Sequence, residues 1–155
     1  GRRERRLRAG EFDLIAKEAK KQRNPYVFPV IVFALETAMR GKEILALTWE
    51  DFDASAATVR VRHAKNQHQR VVPLTPKAMR VIMDLPPIQS ELVFNITQCA
   101  LKQAWKRIMR KTHITDLHFH DLRYESISRF VEGGLMKAFW QSMLRADSNT
   151  ITLSR

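Results

Sequence analysis

Apolar residues along the chain recur mostly with the period of an α-helix. Between Glu11 and Lys21 they fall on one face, with lysines on the other, and this predicts an amphipathic helix. The run Val30 to Leu35 is apolar on every side, so we expect a buried helix from about Pro29 to Met39. Because Pro29 would clash inside a helix begun at Asn24, a separate turn is predicted before the main helix.

Residues that typically end or start a helix set the predicted bounds of the remaining helices. Gly41 suits a C-terminal cap, which places Arg40 at the end of the buried helix, and a short helix is predicted from Glu43 to Leu47. Thr75 is a suitable N-cap for a further helix, because the proline after it fits the first helical position. Three longer helices are predicted over Thr75 to Met83, Thr97 to about Lys111, and His120 to Val131.

One segment alternates with the period of a β-strand. Thr58 to Arg62 places threonine and arginines on one face and valines on the other, as in a half-buried strand. Val71 to Leu74 is predicted to return beside it, after a polar hairpin tip at Lys65 to Gln69. A third short strand is expected at Leu92 to Phe94. Together these elements predict an α+β fold that is mostly helical, with a small antiparallel β-sheet.

Charge and size narrow the class of protein. The 155 residues are 45% hydrophobic, which is enough for one globular domain. The net charge of +11 favours a polyanionic partner, because lysines and arginines that neutralise phosphates release condensed counterions. No apolar stretch approaches the roughly 20 residues that span a bilayer, and no signal peptide is recognisable. Cys99, the single cysteine, excludes an intramolecular disulfide and is expected to be a small buried residue.

Differences in composition along the chain divide it into three predicted segments. Residues 1–8 contain five arginines and few apolar residues, which is typical of a flexible basic arm or the end of an interdomain linker. Residues 9–135 hold all the periodic elements and form the predicted core domain. Residues 136–155 form a C-terminal tail that fits neither pattern.

A chain-ordered set of cations suits the binding of a phosphodiester. It consists of Arg40, then Lys65 at the predicted hairpin tip, then the run from His120 to Arg123. Guanidinium groups are permanently charged and donate two parallel hydrogen bonds, which matches two phosphate oxygens. Residues three apart share a helix face, so His120 and Arg123 are expected to reach one phosphate together.

These motifs resemble the catalytic domain of the tyrosine recombinases, the phage integrase family. The resemblance covers about Leu7 to Leu135: an arginine in the stretch Glu36 to Leu47, a β-hairpin lysine at Lys65, and a His-x-x-Arg block. It implies a DNA breaking-rejoining core that integrates or excises DNA by transesterification, without a metal or other cofactor. The implied partners are double-stranded DNA and other recombinase protomers, and no membrane. The implied location is the cytoplasm, in association with the nucleoid, for a protein encoded by a bacterium or a phage.

The resemblance also assigns roles. Arg40 and Arg123 would hold the non-bridging oxygens of the scissile phosphate, and His120 would donate or accept a proton. Lys65 would protonate the leaving 5′ oxygen, and Glu43 would orient neighbouring side chains.

The nucleophile that the resemblance requires is not identified. The family has a Gly-His pair and then the nucleophilic tyrosine, but no histidine follows His120 and no tyrosine follows Tyr124. Tyr124 adjoins Arg123 on the predicted helix, where neighbours do not share a face, so it is expected to point away from the phosphate. In a loose alignment of the tail, Arg145, Ala146 and Arg155 stand where glycine, histidine and tyrosine belong.

We therefore expect a recombinase catalytic domain that binds DNA and is inactive as written. The alternative is a non-catalytic accessory or competitor derived from an integrase. A reading-frame slip near Leu135, gene decay or an artificial alteration would each produce such a tail. Type IB topoisomerase chemistry also needs the missing tyrosine, and a basic membrane-surface protein is disfavoured because the charges lie on several elements.

Overall fold

Six α-helices and a three-stranded sheet are present in the computed structural model of this chain, which describes residues 3–62 and 69–134. The helices are α1 (Glu11–Lys20), α2 (Val27–Thr37), α3 (Gly41–Ala46), α4 (Pro76–Met83), α5 (Gln98–Thr112) and α6 (Asp121–Glu132). The strands are β1 (Phe52–Asp53), β2 (Thr58–Arg62) and β3 (Gln69–Pro73). The predicted class, α+β and mostly helical with a small antiparallel sheet, is confirmed.

Helix α2 is the centre of the core and packs against α1, α3, α4 and α6. Its apolar circumference is buried as predicted, and the ring of Phe33 lies 5.0 Å from that of Phe94. The predicted start was wrong, because the helix begins at Val27 and contains Pro29 in its first turn. Proline is tolerated there, since the first four N–H groups of a helix have no intrahelical acceptor.

The junction between α2 and α3 also differs from the prediction. Ala38, with φ of 59°, is the left-handed residue that ends α2, and Gly41 opens α3 instead of capping α2. Glycine at position 41 allows a close approach of Phe119, because a Cβ atom there would lie 3.2 Å from the Phe119 ring and the ring would have to shift slightly. Arg40 is therefore the N-cap residue of α3 in an extended conformation, one step beyond the predicted helix end.

The sheet has the order β1-β2-β3 with antiparallel neighbours, and Val59 pairs with Val72 at its centre. Strand β2 has the predicted bounds and the predicted alternation of buried valines with arginines. Strand β1 was missed, because two residues are too few for a periodic signal. The strand predicted at Leu92 to Phe94 was wrong, since Leu92 forms only an isolated bridge to Thr48. The predicted hairpin tip with Lys65 lies outside the described residues, apart from Gln69.

The three longer helices were predicted within one residue. The side chains of Thr75 and Thr97 cap α4 and α5 by accepting from the N–H groups of Ala78 at 3.1 Å and Ala100 at 3.0 Å. Cys99 is exposed, contrary to the prediction, because the buried stripe of α5 is formed by other residues. These are Leu101, Ala104, Trp105 and Ile108.

The N-terminal arm, residues 3–8, lies against the body of the protein. Arg3 donates from Nε and Nη2 to the two carboxylate oxygens of Asp121, at 2.9 and 3.0 Å. Arg6 makes the same two-pronged contact with Glu125, with both distances 3.0 Å. The prediction of a flexible arm or linker end took no account of these carboxylates, which lie more than one hundred residues away in sequence.

Candidate functional site

Arg40 stands at the entrance to α3, with about half of its side chain exposed. Its backbone N–H donates to Oε1 of Glu43 at 2.9 Å, and its Nη1 lies 3.9 Å from Oε2 of the same carboxylate. Because Glu43 is the third residue of α3, the helix itself sets the distance between these two side chains. The predicted supporting carboxylate therefore lies directly beside the predicted arginine.

A second arginine, which the sequence analysis missed, completes this pair. Arg70 of β3 donates from Nη1 and Nη2 to the two oxygens of Glu43, at 2.7 and 2.9 Å. Alternation along β3 places Arg70 on the same face as buried Val72. An arginine on the core-facing side of a strand requires an acidic partner, and that signal was available in the sequence.

Glu43 is an anion under all ordinary conditions. Its side chain is only 9% exposed, and this burial alone would raise its pKa. Hydrogen bonds from Arg70 and from the backbone of Arg40 outweigh burial and lower the pKa of Glu43 to about 2. The carboxylate thus acts as a fixed counterion between the two guanidiniums.

Arg123 is the third arginine near Glu43, and it comes from α6. It is the third residue of α6, half-buried, and its Nη1 donates to the carbonyl oxygen of Ala38 at 2.6 Å. Burial lowers the pKa of Arg123, and the positive charges of Arg40 and Arg70 lower this pKa further. The negative charge of Glu43 raises it in part. Three guanidiniums therefore act on one another around a single carboxylate, and the cluster has an excess of positive charge.

His120 is exposed at the start of α6, in a turn that α5 supports. The indole Nε1–H of Trp105 donates to the carbonyl of Leu117 at 3.0 Å, and the Trp105 ring meets Phe119 edge-on with centroids 5.6 Å apart. The N–H of Arg123 donates to the carbonyl of His120 at 3.1 Å. These contacts fix the turn that presents the imidazole, immediately before the helix that carries Arg123.

A groove of about 960 Å³ runs between α3, α5 and the turn before α6. Its floor is apolar and includes Leu101, Trp105, Met109 and Phe119. Its basic lining residues are Arg40, Lys42, Arg62, Lys102, Lys106, His118 and His120. An open groove with basic residues along it and a guanidinium cluster at one edge suits an extended polyanion better than a small apolar ligand.

The structure brings together four of the residues selected from the sequence. Arg40, Glu43 and Arg123 belong to the cluster, and His120 lines the same groove as Arg40. Lys65 lies outside the described residues, and its place beside the cluster stays a prediction. Tyr124 is half-buried within α6, next to Arg123. His118 is exposed; its backbone N–H donates to Oδ2 of Asp121 at 2.7 Å, and its carbonyl accepts the backbone N–H of Asp121 at 2.9 Å.

Residues 3–62 and 69–134 contain neither a metal-binding cluster nor a helix that could span a membrane. No three histidine, cysteine, aspartate or glutamate side chains in these ranges are grouped so that they could hold a metal ion. None of the helices described there combines the length and apolarity that crossing a membrane requires.

Comparison with known proteins gives a consistent result. The model of the phage integrase family matches residues 5–153, which extends past Leu135, where the motif resemblance ends. The shufflon-specific DNA recombinase of Escherichia coli is 39% identical over 132 residues, covering 85% of this chain and 34% of that protein. The chain thus spans about a third of the length of this relative.

Two solved structures share the fold at low sequence identity. The lambda integrase catalytic core superposes with a TM-score of 0.69 at 16% identity, covering 83% of this chain and 84% of that one. The Tn1549 transposon integrase, solved in complex with a circular intermediate DNA, has a TM-score of 0.69 at 14% identity, covering 86% of this chain and 55% of that one.

Proposed function

Since this chain belongs to the phage integrase family, we propose that it is the DNA-binding catalytic domain of a site-specific tyrosine recombinase. Its substrate is double-stranded DNA, which it would hold for integration or excision by strand transesterification. The solved complex of the Tn1549 integrase with DNA supports this choice of substrate. The observation that carries the proposal is the arginine cluster around the ionised Glu43.

The cluster is suited to a scissile phosphate. Arg40 has about half of its side chain in solvent, so its guanidinium is available to two non-bridging oxygens. Arg123 is held by the Ala38 carbonyl through one Nη1–H, and its other N–H donors, which bind no described residue, serve the phosphate in this proposal. Such preorganised cations stabilise the negative charge that grows on phosphorus-bound oxygens in the transition state.

The remaining side chains have supporting roles in this proposal. His120 exchanges a proton with the reacting group at the same edge of the groove. Glu43 and Arg70 do not touch the DNA but keep Arg40 in place through the first turn of α3. Lys65, by its resemblance to the hairpin lysine of the family, protonates the leaving 5′ oxygen.

The DNA backbone flanking the scissile phosphate follows the groove. Lys42, Arg62, Lys102 and Lys106 line it at several points, which provides further phosphate contacts without reading the sequence. Binding is therefore expected to weaken steeply as salt rises, because each neutralised phosphate releases condensed counterions.

The positions of the two tyrosines, Tyr26 and Tyr124, argue for binding without cleavage. Tyr26 is 3% exposed in the core, and Tyr124 adjoins Arg123 on a helix, where neighbours face different directions. We propose that this chain binds DNA and does not cut it. The second candidate, a non-catalytic accessory or competitor of an intact recombinase, is favoured by this same lack of a nucleophile.

Binding to a mixed-sequence duplex over a range of salt concentrations tests the phosphate site. Arg40→Ala and Arg123→Ala should each weaken binding and reduce the slope of log affinity against log salt by about 0.9, the value for one lost phosphate contact. Arg80→Ala is the matched control, because Arg80 is exposed on α4 and does not line the groove. Equal slopes for all three variants and the wild type would overturn the proposal.

Incubation with a nicked duplex tests the proposal that the chain binds DNA without cutting it. A covalent protein–DNA adduct that survives denaturation would show that the chain has a working nucleophile, and would refute this proposal together with the non-catalytic candidate. Tight binding without an adduct would support the proposal.

A further inference from the structure

The N-terminal arm contacts the helix that carries part of the proposed phosphate site. Two of its arginines, Arg3 and Arg6, each use Nε and Nη2 to bind both oxygens of one carboxylate on α6. The backbone N–H of Leu7 adds a third contact, to Oε1 of Glu125 at 2.8 Å. Planar two-pronged pairs of this kind fix orientation as well as distance.

The two carboxylates are buried, which makes their arginine partners important. The side chain of Asp121 is 1% exposed and that of Glu125 is 4% exposed. A buried carboxylate that loses its cation leaves an uncompensated charge, so the surrounding structure must change. Arg3 is the one lysine or arginine paired with Asp121 among residues 3–62 and 69–134. Glu125 has Arg6 and, one turn away along α6, Arg129.

Asp121 also organises the turn that presents His120. Its Oδ2 accepts the backbone N–H of His118 at 2.7 Å, within the segment that borders the groove. Arg3 therefore binds the same carboxylate that shapes this turn. Loss of Arg3 is therefore expected to displace the His120 imidazole, because it removes the partner of Asp121.

The arm and the phosphate site lie on different sides of α6. Asp121 and Glu125 are four residues apart and share one helix face, whereas Arg123 lies two residues from each, about 200° around the axis. On that other side Arg123 is bound to the Ala38 carbonyl. The start of α6 is thus held from both sides, by the arm and by the end of α2.

We infer that Arg3 and Arg6 are positioning residues of the proposed phosphate-binding site. They act through α6, since their ion pairs fix its first turns, and those turns carry His120 and Arg123. This role rests on the proposed function for its consequence in DNA binding, while the ion pairs themselves do not depend on it.

A direct contact between the arm and DNA is the competing reading of the same arginines. Arg3 and Arg6 already use Nε and Nη2 on carboxylates, and their charges are neutralised locally. Arg8 differs, because its exposed side chain makes no ion pair with any described residue. Arg8→Ala therefore removes the same formal charge from the same segment without releasing α6, and it is the matched control.

The experiment compares Arg3→Ala, Arg6→Ala and Arg8→Ala in two measurements. Without DNA, amide hydrogen exchange in the first two turns of α6 should rise about tenfold or more in the first two variants, while α5 stays unchanged. The NMR signals of the His120 imidazole and the Arg123 Nε–H should shift in these two variants and not in Arg8→Ala. Unchanged exchange and unchanged signals would overturn the positioning role.

Duplex binding then tests the consequence for the site. Arg3→Ala should weaken binding at least tenfold more than Arg8→Ala, and should add little in an Asp121→Asn background, because both changes act through one contact. Equal losses in Arg3→Ala and Arg8→Ala would overturn the inference in favour of direct DNA contact. Failure of the wild type to bind any duplex would instead overturn the proposed function, whatever the exchange data show.

Milder variants cover the case in which Arg3→Ala does not fold. Arg3→Lys and Arg6→Lys keep the charge but replace the two-pronged contact with a single ammonium. The same signals should shift in the same direction by a smaller amount. An identical spectrum for the wild type and both lysine variants would count against the positioning role.

Discussion

Replacement of Glu43 by glutamine tests the centre of the proposed site. The carboxylate accepts the Arg40 N–H and two N–H groups of Arg70, all between 2.7 and 2.9 Å. Glutamine keeps one acceptor oxygen and turns the other into an NH₂ donor, which would face a donor of Arg70. Hydrogen bonds to charged groups contribute about 1.5–3 kcal/mol each, so a loss of roughly 2–3 kcal/mol in the free energy of unfolding is expected.

The pH dependence of this loss gives a second, independent measure. The folded pKa of Glu43 is about 2, below its ordinary value of 4.5. A carboxyl group with a lowered folded pKa stabilises the protein fully above its unfolded pKa, and this contribution disappears as pH falls towards the folded pKa. The difference between the wild type and Glu43→Gln should therefore be largest near neutral pH and lose more than half its size by about pH 3.

Urea unfolding of both proteins across this pH range is the assay. Other carboxylates with lowered pKa, such as Asp121 and Glu125, are present in both proteins, and their effects cancel in the difference. Glu50→Gln is the control, because Glu50 is exposed and forms no ion pair with a described residue. A Glu43→Gln protein as stable as the wild type near neutral pH, or a difference that does not change with pH, would refute the reasoning.

Two further predictions concern the supports of the groove. Trp105→Phe removes the indole N–H that donates to the Leu117 carbonyl, and it should lower the free energy of unfolding by about 1–3 kcal/mol. Urea unfolding measures this loss, and an unchanged midpoint would contradict the role of the hydrogen bond. Thr97→Ala removes the N-cap of α5 and should lower the free energy of unfolding by about 1 kcal/mol. Thr115→Ala, at an exposed position in a loop, is the control. Equal stability of the two variants would argue against the cap.

Local signals in the sequence were sufficient for most of the fold. The alternation in β2 and the threonine–proline start of α4 gave the observed bounds, because each depends only on neighbouring residues. The start of α2 was misplaced, since the rule against proline inside a helix does not apply to its first turn. Cys99 was misjudged because residue type was used in place of its angular position on α5.

The site was only partly accessible from the sequence. Arg40, Glu43 and Arg123 were selected from motifs in one order along the chain; Arg40 and Glu43 are neighbours in the structure, and the charges of both act on Arg123. Arg70 was not selected, although its core-facing place on β3 could be read from the alternation; its partner, Glu43, lies 27 residues away and is identified only in the folded sheet. The pairing of the arm with α6 spans 118 residues between Arg3 and Asp121 and leaves no local trace.

The left-handed conformation of Ala38 has a consequence for how the site is kept ready. An L-residue with φ of 59° is strained by about 1–2 kcal/mol, and this alanine presents the carbonyl that holds Arg123. Glycine would relieve this strain at a smaller entropic cost in the unfolded chain, so Ala38→Gly is expected to stabilise the protein slightly. Because the carbonyl belongs to the backbone, glycine leaves the Arg123 anchor in place, whereas a β-branched residue disfavours a positive φ and would move that carbonyl. The backbone conformation of one residue at the end of α2 thus sets where Arg123 is held.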